Sequence, residues 1–277
     1  MGSIAAAPGA GAAPAAPPAQ AAPAAPAVAD GSRVTVLRRS GDRLGAVGQV
    51  SGLGKGEQIY AVRFIGPVGY VVTFRQTDPL YTLDLSDAKA PRVVGQLKLL
   101  GYSAYLHPAG DGLLIGIGQS ADSVGHVQGL QLSLFDVHDP AKPVRLSQVK
   151  LPQAWSDAQG DHHAFTFADG LVLIPFQRND FGIVAPVAAS ADGTGVATPS
   201  LPLQDSGVVA VRLTGQRFGT PSYLRMQGTG PVRADLGVPF VQPLRTYVDG
   251  GDIWTVTTSG LGIHDAKTLK RLGFTRF

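Results

Sequence analysis

Cysteine is absent from all 277 residues. That excludes disulfides, thiolate nucleophiles and Cys-based zinc sites, and it leaves the redox compartment open. No apolar run approaches the roughly eighteen residues of a membrane-spanning helix. An excess of one charge is nearly missing as well, since 23 Lys and Arg face 20 Asp and Glu for a net +3. The densest basic patch, Arg38-Arg39 with Arg43, flanks a Ser40-Gly41-Asp42 turn. It reads as a solvated hairpin, because a nucleic-acid footprint needs a basic stripe with interleaved aromatics. Helical periodicity is almost absent too. There is no Gly-x-Ser-x-Gly elbow, phosphate loop or dinucleotide fingerprint. The glycine-rich Gly52-Leu53-Gly54-Lys55-Gly56 lacks both the Gly-Lys-Ser/Thr ending and a following helix.

The first thirty residues carry little that could fold. From Ala5 to Ala29 almost every residue is Ala or Pro. Such a tract has no branched or aromatic face to bury, and its prolines break helices, so residues 1–32 are expected to be a disordered linker. Met1-Gly2-Ser3 has no basic segment and no Leu-rich stretch behind it, so no clear signal peptide is present. A tract of this kind usually tethers a domain to something upstream, and the start is expected to be truncated.

What the chain does have is a repeat. Ala61-Val62-Arg63-Phe64-Ile65-Gly66 answers Ala104-Tyr105-Leu106-His107-Pro108-Ala109-Gly110, and Ala164–Gly170 and Thr246–Gly250 follow. Each is followed by an apolar run: Gly69–Phe74, Leu113–Ile117, Leu171–Ile174 and Ile253–Val256. Two more short strands and a turn complete each unit, and Asp265-Ala266-Lys267 copies Asp87-Ala88-Lys89 letter for letter. Units that cannot bury their own apolar faces must stack on one another.

Four antiparallel strands per unit of about 40–50 residues is the pattern of a propeller blade. The fold class is therefore all-β, a β-propeller of four-stranded antiparallel blades spanning residues 33–277. The units are about 33–56, 57–101, 102–156, 157–240 and 241–277. The first, Val34–Arg38 and Leu44–Val50, matches only the third and fourth strands of a blade. The count is four and a half blades, expected as an incomplete ring whose bare end near Tyr247 and Trp254 invites self-association. The third unit carries an insertion, about 178–206, expected to lie outside the strand ladder.

Several of these segments resemble a family. Ile59-Tyr60-Ala61-Val62-Arg63-Phe64-Ile65-Gly66, Val72–Leu80, Gly101–Pro108, Gly116–Gln119, Asp161–Phe165 and the closing Trp254–Asp265 are similar to the secreted bacterial and archaeal C-terminal β-propeller family, distantly related to WD40 repeats. The resemblance implies an extracellular or envelope-exposed domain with no established enzymatic activity. It also implies additional blades in longer members.

Three groups of polar residues could carry chemistry. Asp161-His162-His163, expected at the channel end of an inner strand, offers a carboxylate and two imidazoles for a metal or for acid–base work. In a strand, however, neighbouring side chains face opposite ways, which argues for polar bonding and against a shared ion. Residues after the second strands, Arg75, Gln76, Gln119, Gln177 and Arg178, could line a pocket or bond adjacent blades. Asp78, Asp84, Asp87, Asp136, Asp139 and Asp265 sit in turns, where calcium is the minor alternative to a turn role. No cofactor is expected. The leading function is a binding or scaffolding module that takes a protein, peptide or glycan through its loop rim. The alternative is a lactonase-type hydrolase with a polar or metal site in the channel. Inner-strand positions are mostly Ala, Val, Phe, Tyr and Leu, which favours binding.

Overall fold

The computed structural model describes residues 31–74, 78–180, 203–225, 232–233 and 241–277. The Ala/Pro tract, with Arg75 and Gln76, lies outside them. The described chain begins with a two-stranded ribbon, β1 (Ser32–Ser40) and β2 (Arg43–Leu53). Two regular four-stranded blades follow in chain order: β3 (Gln58–Ile65), β4 (Val68–Phe74), β5 (Asp78–Asp84) and β6 (Arg92–Leu99), then β7 (Tyr102–Gly110), β8 (Leu113–Ala121), β9 (Val127–Asp136) and β10 (Val144–Pro152). The third blade is irregular. Its core is β13 (Leu171–Asp180) against β14 (Leu203–Thr214), flanked by the short β11 (Ala154–Trp155), β12 (Thr166–Ala168), β15 (Arg217–Phe218), β16 (Ser222–Leu224) and β17 (Val232–Arg233). The last blade is β18 (Pro243–Asp249), β19 (Asp252–Thr257), β20 (Gly260–Asp265) and β21 (Arg271–Arg276).

The repeated turn between first and second strands has a backbone cause. Asp111-Gly112 and Asp169-Gly170 both place two successive residues at positive φ, and Gly250-Gly251 does the same. That conformation closes a tight hairpin with the right twist and favours Asp-Gly or Gly-Gly.

The cores lie between blades. Leu53, Val71 and Leu83 join the ribbon to the first blade. Ala61, Tyr70, Val72 and Leu80 meet Leu106, Leu114 and Phe135 of the second. Ile117, Leu132 and Leu134 meet Phe165, Ile174 and Val209 of the third, and Leu173 and Val208 meet Ile253 of the fourth. The expectation of stacked, mutually dependent units holds. A second device recurs at the outer edge, where the turn before each fourth strand reaches back to the preceding blade. A Cβ on Gly95 would lie 2.3 Å from the carbonyl of Pro140, and one on Gly48 2.2 Å from that of Ala88. Thr82 also donates to the Pro140 carbonyl. Arg212 donates to the carbonyls of Ala266 and Lys267, so the last blade latches onto the third in a related way.

The blades form an open arc, the incomplete propeller expected from the half-unit at residues 33–54. Among the described residues the last sheet packs substantially only on the third blade and the segment leading into it. Tyr247 is 57% exposed on its far face. Two details differ from the reading of the sequence. The insertion is narrower than 178–206, because the β13–β14 ladder continues to the pair Asp180 and Leu203; residues 181–202 lie outside the described residues. Inner strand β12 is only three residues long, because the segment ahead of it is helical.

Candidate functional site

Two single-turn 3-10 helices lead into the third blade. The first, Asp157–Gln159, is capped by Ser156, and the second, His162–Ala164, by Asp161. The Asp161 carboxylate accepts from the His163 backbone N–H at 3.0 Å and faces the His163 Nδ1 at 3.1 Å. An aspartate in extended conformation bonding the amide two residues on is what stops a strand and starts a helical turn. Strand alternation therefore does not apply at Asp161–His163. The two imidazoles share one side, with ring centroids 3.9 Å apart, and the three ligand atoms lie within 4.8 Å of one another. The expectation that they could not face a common ion is corrected on that ground.

Asp161 is engaged on its other oxygen too. Arg245 of β18 donates to Oδ2 at 2.5 Å and to the Leu244 carbonyl at 2.8 Å. The backbone bond from His163, its ring and Arg245 together hold the Asp161 carboxyl below the usual carboxylate range, against a smaller opposing effect of desolvation. Alongside, Gln242 donates to Asp157 Oδ2 at 2.8 Å, and Thr166 donates to the Thr246 carbonyl at 2.7 Å. Gln119 of β8 donates to Gln159 Oε1 at 2.6 Å. The 3-10 segment thus ties the second blade to the fourth.

Beside it opens a cleft of about 270 Å³ lined by Arg63, Ala104, Tyr105, Ala158, Gln159, Gly160 and His162. The Tyr105 ring stacks on that of His162 at 6.4 Å, and its hydroxyl lies 3.0 Å from His107 Nδ1. His107 packs against Phe165 at 4.7 Å. Burial, and secondarily the Arg63 charge, pushes the His107 pKa down. Burial raises that of Tyr105. Among the described residues the buried Arg63 Nε has no hydrogen-bond partner.

The structure joins only some of the residues singled out in the sequence. Asp161, His162, His163 and Gln119 belong to one site. Arg178 belongs to another, where its guanidinium and that of Arg225 lie over the rings of Phe176 and Tyr223 at 5.2–5.9 Å. Arg225 is paired there with Asp205 at 2.9 Å. The turn aspartates bond local amides: Asp84 the Ser86 N–H, Asp87 that of Lys89, Asp136 that of His138 and Asp139 that of Ala141. Asp84 is held at a pKa of about 2, first by Ser86 and then by Arg92. Arg63, Tyr105, Gln159 and Arg245 join the site without a motif in the sequence to mark them. The signal for Arg63 was its charge in an otherwise apolar inner strand.

A beta propeller domain model matches residues 21–269. Among curated proteins, an uncharacterized protein of Methanocaldococcus jannaschii is 48% identical over 122 residues, 44% of this chain and 19% of that protein. One of Archaeoglobus fulgidus is 40% identical over 142 residues, 50% of this chain and 22% of that protein. The matched part thus spans about a fifth of those relatives' length. Among solved structures, the WD40 domain of SCAP from fission yeast is similar with a TM-score of 0.37 and 12% identity, covering 84% of this chain and 48% of that one. An apocarotenoid oxygenase from Synechocystis gives 0.37 and 12%, covering 90% and 56%. The extent of the family match, with the four-stranded blades just described, places the chain in the beta propeller domain family.

Proposed function

We propose that the protein is a binding module, displayed outside the cytoplasm, that takes an anionic segment of a protein, peptide or glycan in the cleft between Arg63, Tyr105, Gln159 and His162. The observation that carries this reading is the balance of donors and acceptors. The nearby carboxylates are already engaged, Asp161 by Arg245 and Asp157 by Gln242, whereas the side chain of Arg63, also on the cleft wall, has no hydrogen-bond or ion-pair partner among the described residues. The cleft's spare capacity is for donation. Tyr105 and His162 add stacked rings, an apolar wall suited to an extended chain or a sugar face.

The test is calorimetric titration of the full chain with a poly-glutamate peptide and an oligogalacturonate, compared with their neutral counterparts. Loss of one charge-assisted bond costs about 1.5–3 kcal/mol. Arg63→Gln should therefore weaken the acidic ligand by roughly 10- to 100-fold and leave the fold intact. Equal affinity for acidic and neutral ligands would refute the reading.

The alternative of a metal-dependent hydrolase has one supporting observation, the convergence of Asp161, His162 and His163. Arg245 works against it, because a divalent ion would have to compete with a guanidinium for the same carboxylate.

A further inference from the structure

Each complete blade after the first buries the rear face of its innermost segment on the blade before it. Leu106 of β7 is 2% exposed, Phe165 ahead of β12 is 7%, and Thr246 of β18 is 2%. The first blade breaks this rule. On β3, Ile59, Val62 and Phe64 are 42%, 43% and 54% exposed. Strand register places them together: Ile59 pairs with Thr73, Val62 with Val71 and Phe64 with Gly69, and directly paired residues share a face of the sheet. On that same face Val71 and Leu83 are fully buried, sealed by Leu53 and the ribbon valines Val34 and Val50.

The ribbon therefore covers the outer half of the face and leaves the inner half bare. It fills the third and fourth strand positions of a blade. Among the described residues β1 pairs with β2 alone, so its other edge presents unpaired backbone donors and acceptors.

We propose that this surface receives a two-stranded β-hairpin. One strand adds to the free edge of β1, and the hairpin's apolar face covers Ile59, Val62 and Phe64, completing a four-stranded blade. The site continues an interface that already exists between the ribbon and the first blade, which fixes both depth and direction. Strand addition supplies main-chain hydrogen bonds, and the exposed side chains ask for small and branched apolar residues in return. The chain itself shows what such a face looks like: on the β3–β4 hairpin, Ala61, Tyr70 and Val72 pack on Leu106 and Phe135 of the next blade.

That hairpin supplies the probe, a synthetic peptide copying Gln58–Phe74. It is offered to the full chain in trans, and also joined to the N-terminus of the full chain by a flexible linker so that weak affinity cannot hide binding. Hydrogen exchange across β1 should slow at least about tenfold in the linked form, and hydroxyl-radical labelling of Phe64 should fall. The protection of β1 should vanish in the Val62→Asp, Phe64→Asp double variant, whose circular dichroism should match the parent because both side chains are exposed. Unchanged β1 exchange in the linked form overturns the proposal. Protection of β1 that rises with protein concentration in the absence of peptide would assign the surface to a second copy of the chain, and it also overturns the hairpin.

Discussion

Leu106 and Val62 occupy equivalent positions on the inner strands of adjacent blades, each on the face turned toward the preceding unit. Leu106 is buried against Ala61, Tyr70 and Val72, whereas Val62 is 43% exposed. Leu106→Ala removes three buried carbons, about 2.4 kcal/mol of transfer free energy, and a cavity raises the total to about 2.5–5 kcal/mol. Val62→Ala removes two carbons that are little more than half covered and leaves no cavity, so it should cost about 1 kcal/mol or less. For a fold of this size each kcal/mol moves Tm by about 2–4 °C. Scanning calorimetry should thus show a drop of roughly 5–20 °C for Leu106→Ala and under about 4 °C for Val62→Ala. Equal losses would refute the reasoning, because Val62 would then be packed in solution as tightly as Leu106.

Three further outcomes are expected. Gly118→Ala would put a Cβ 1.8 Å from the Tyr102 carbonyl oxygen, backbone against backbone; it should cost about 3 kcal/mol or more, seen as lost soluble yield and a lower urea midpoint. Burial lowers the pKa values of His107 and His264, so the unfolded chain takes up protons first as pH falls. Their contribution is complete above the ordinary value of 6.5 and is lost below it. Urea midpoints at pH 7.5 and 5.5 should show this loss, and His107→Gln should shrink it; the lowered Asp84 and Asp161 act only below about 3.8. Zinc added to the full chain should bind no better than to a His162→Ala, His163→Ala variant, by equilibrium dialysis with elemental analysis. Stoichiometric zinc lost in that variant would favour the hydrolase reading.

The blade repeat was legible because its physical causes are local. Asp111-Gly112 and Asp169-Gly170 announce positive φ angles, and Asp87-Ala88-Lys89 and Asp265-Ala266-Lys267 announce a turn stabilised by an aspartate on nearby amides. The latch role of those turns was not legible, since Gly95 and Thr82 meet Pro140 only after two blades have stacked. The site was half legible. Asp161-His162-His163 stands out by composition, yet its neighbours suggest a strand where Asp161 in fact caps a helical turn. That cap could have been read from an Asp followed two residues later by the amide it bonds. Arg245 could not, because it lies 84 positions away and on another blade.

The site's location has a consequence for the arc itself. In a stack of repeats an end unit has one neighbour, so its docking is the weakest link and opens first. Among the described residues the last blade is such a unit, and a large part of its attachment to the third blade's entry segment is polar: Arg245 on Asp161, Gln242 on Asp157 and Thr246 against Thr166. Partly buried polar contacts of this kind are each worth only about 0.5–1.5 kcal/mol, but they converge on the same 3-10 segment that forms the cleft wall through Gln159 and His162. A ligand that orders this segment removes part of the entropic cost of docking the last blade, and a firmly docked last blade in turn pre-orders the cleft. On the proposed reading, ligand binding and docking of the last blade are therefore linked and reciprocal. The prediction is that Arg245→Ala, although its side chain is not among the cleft-lining residues, weakens an acidic ligand and speeds hydrogen exchange of β18 and β19 together. An affinity unchanged in Arg245→Ala while exchange rises would show the two to be independent.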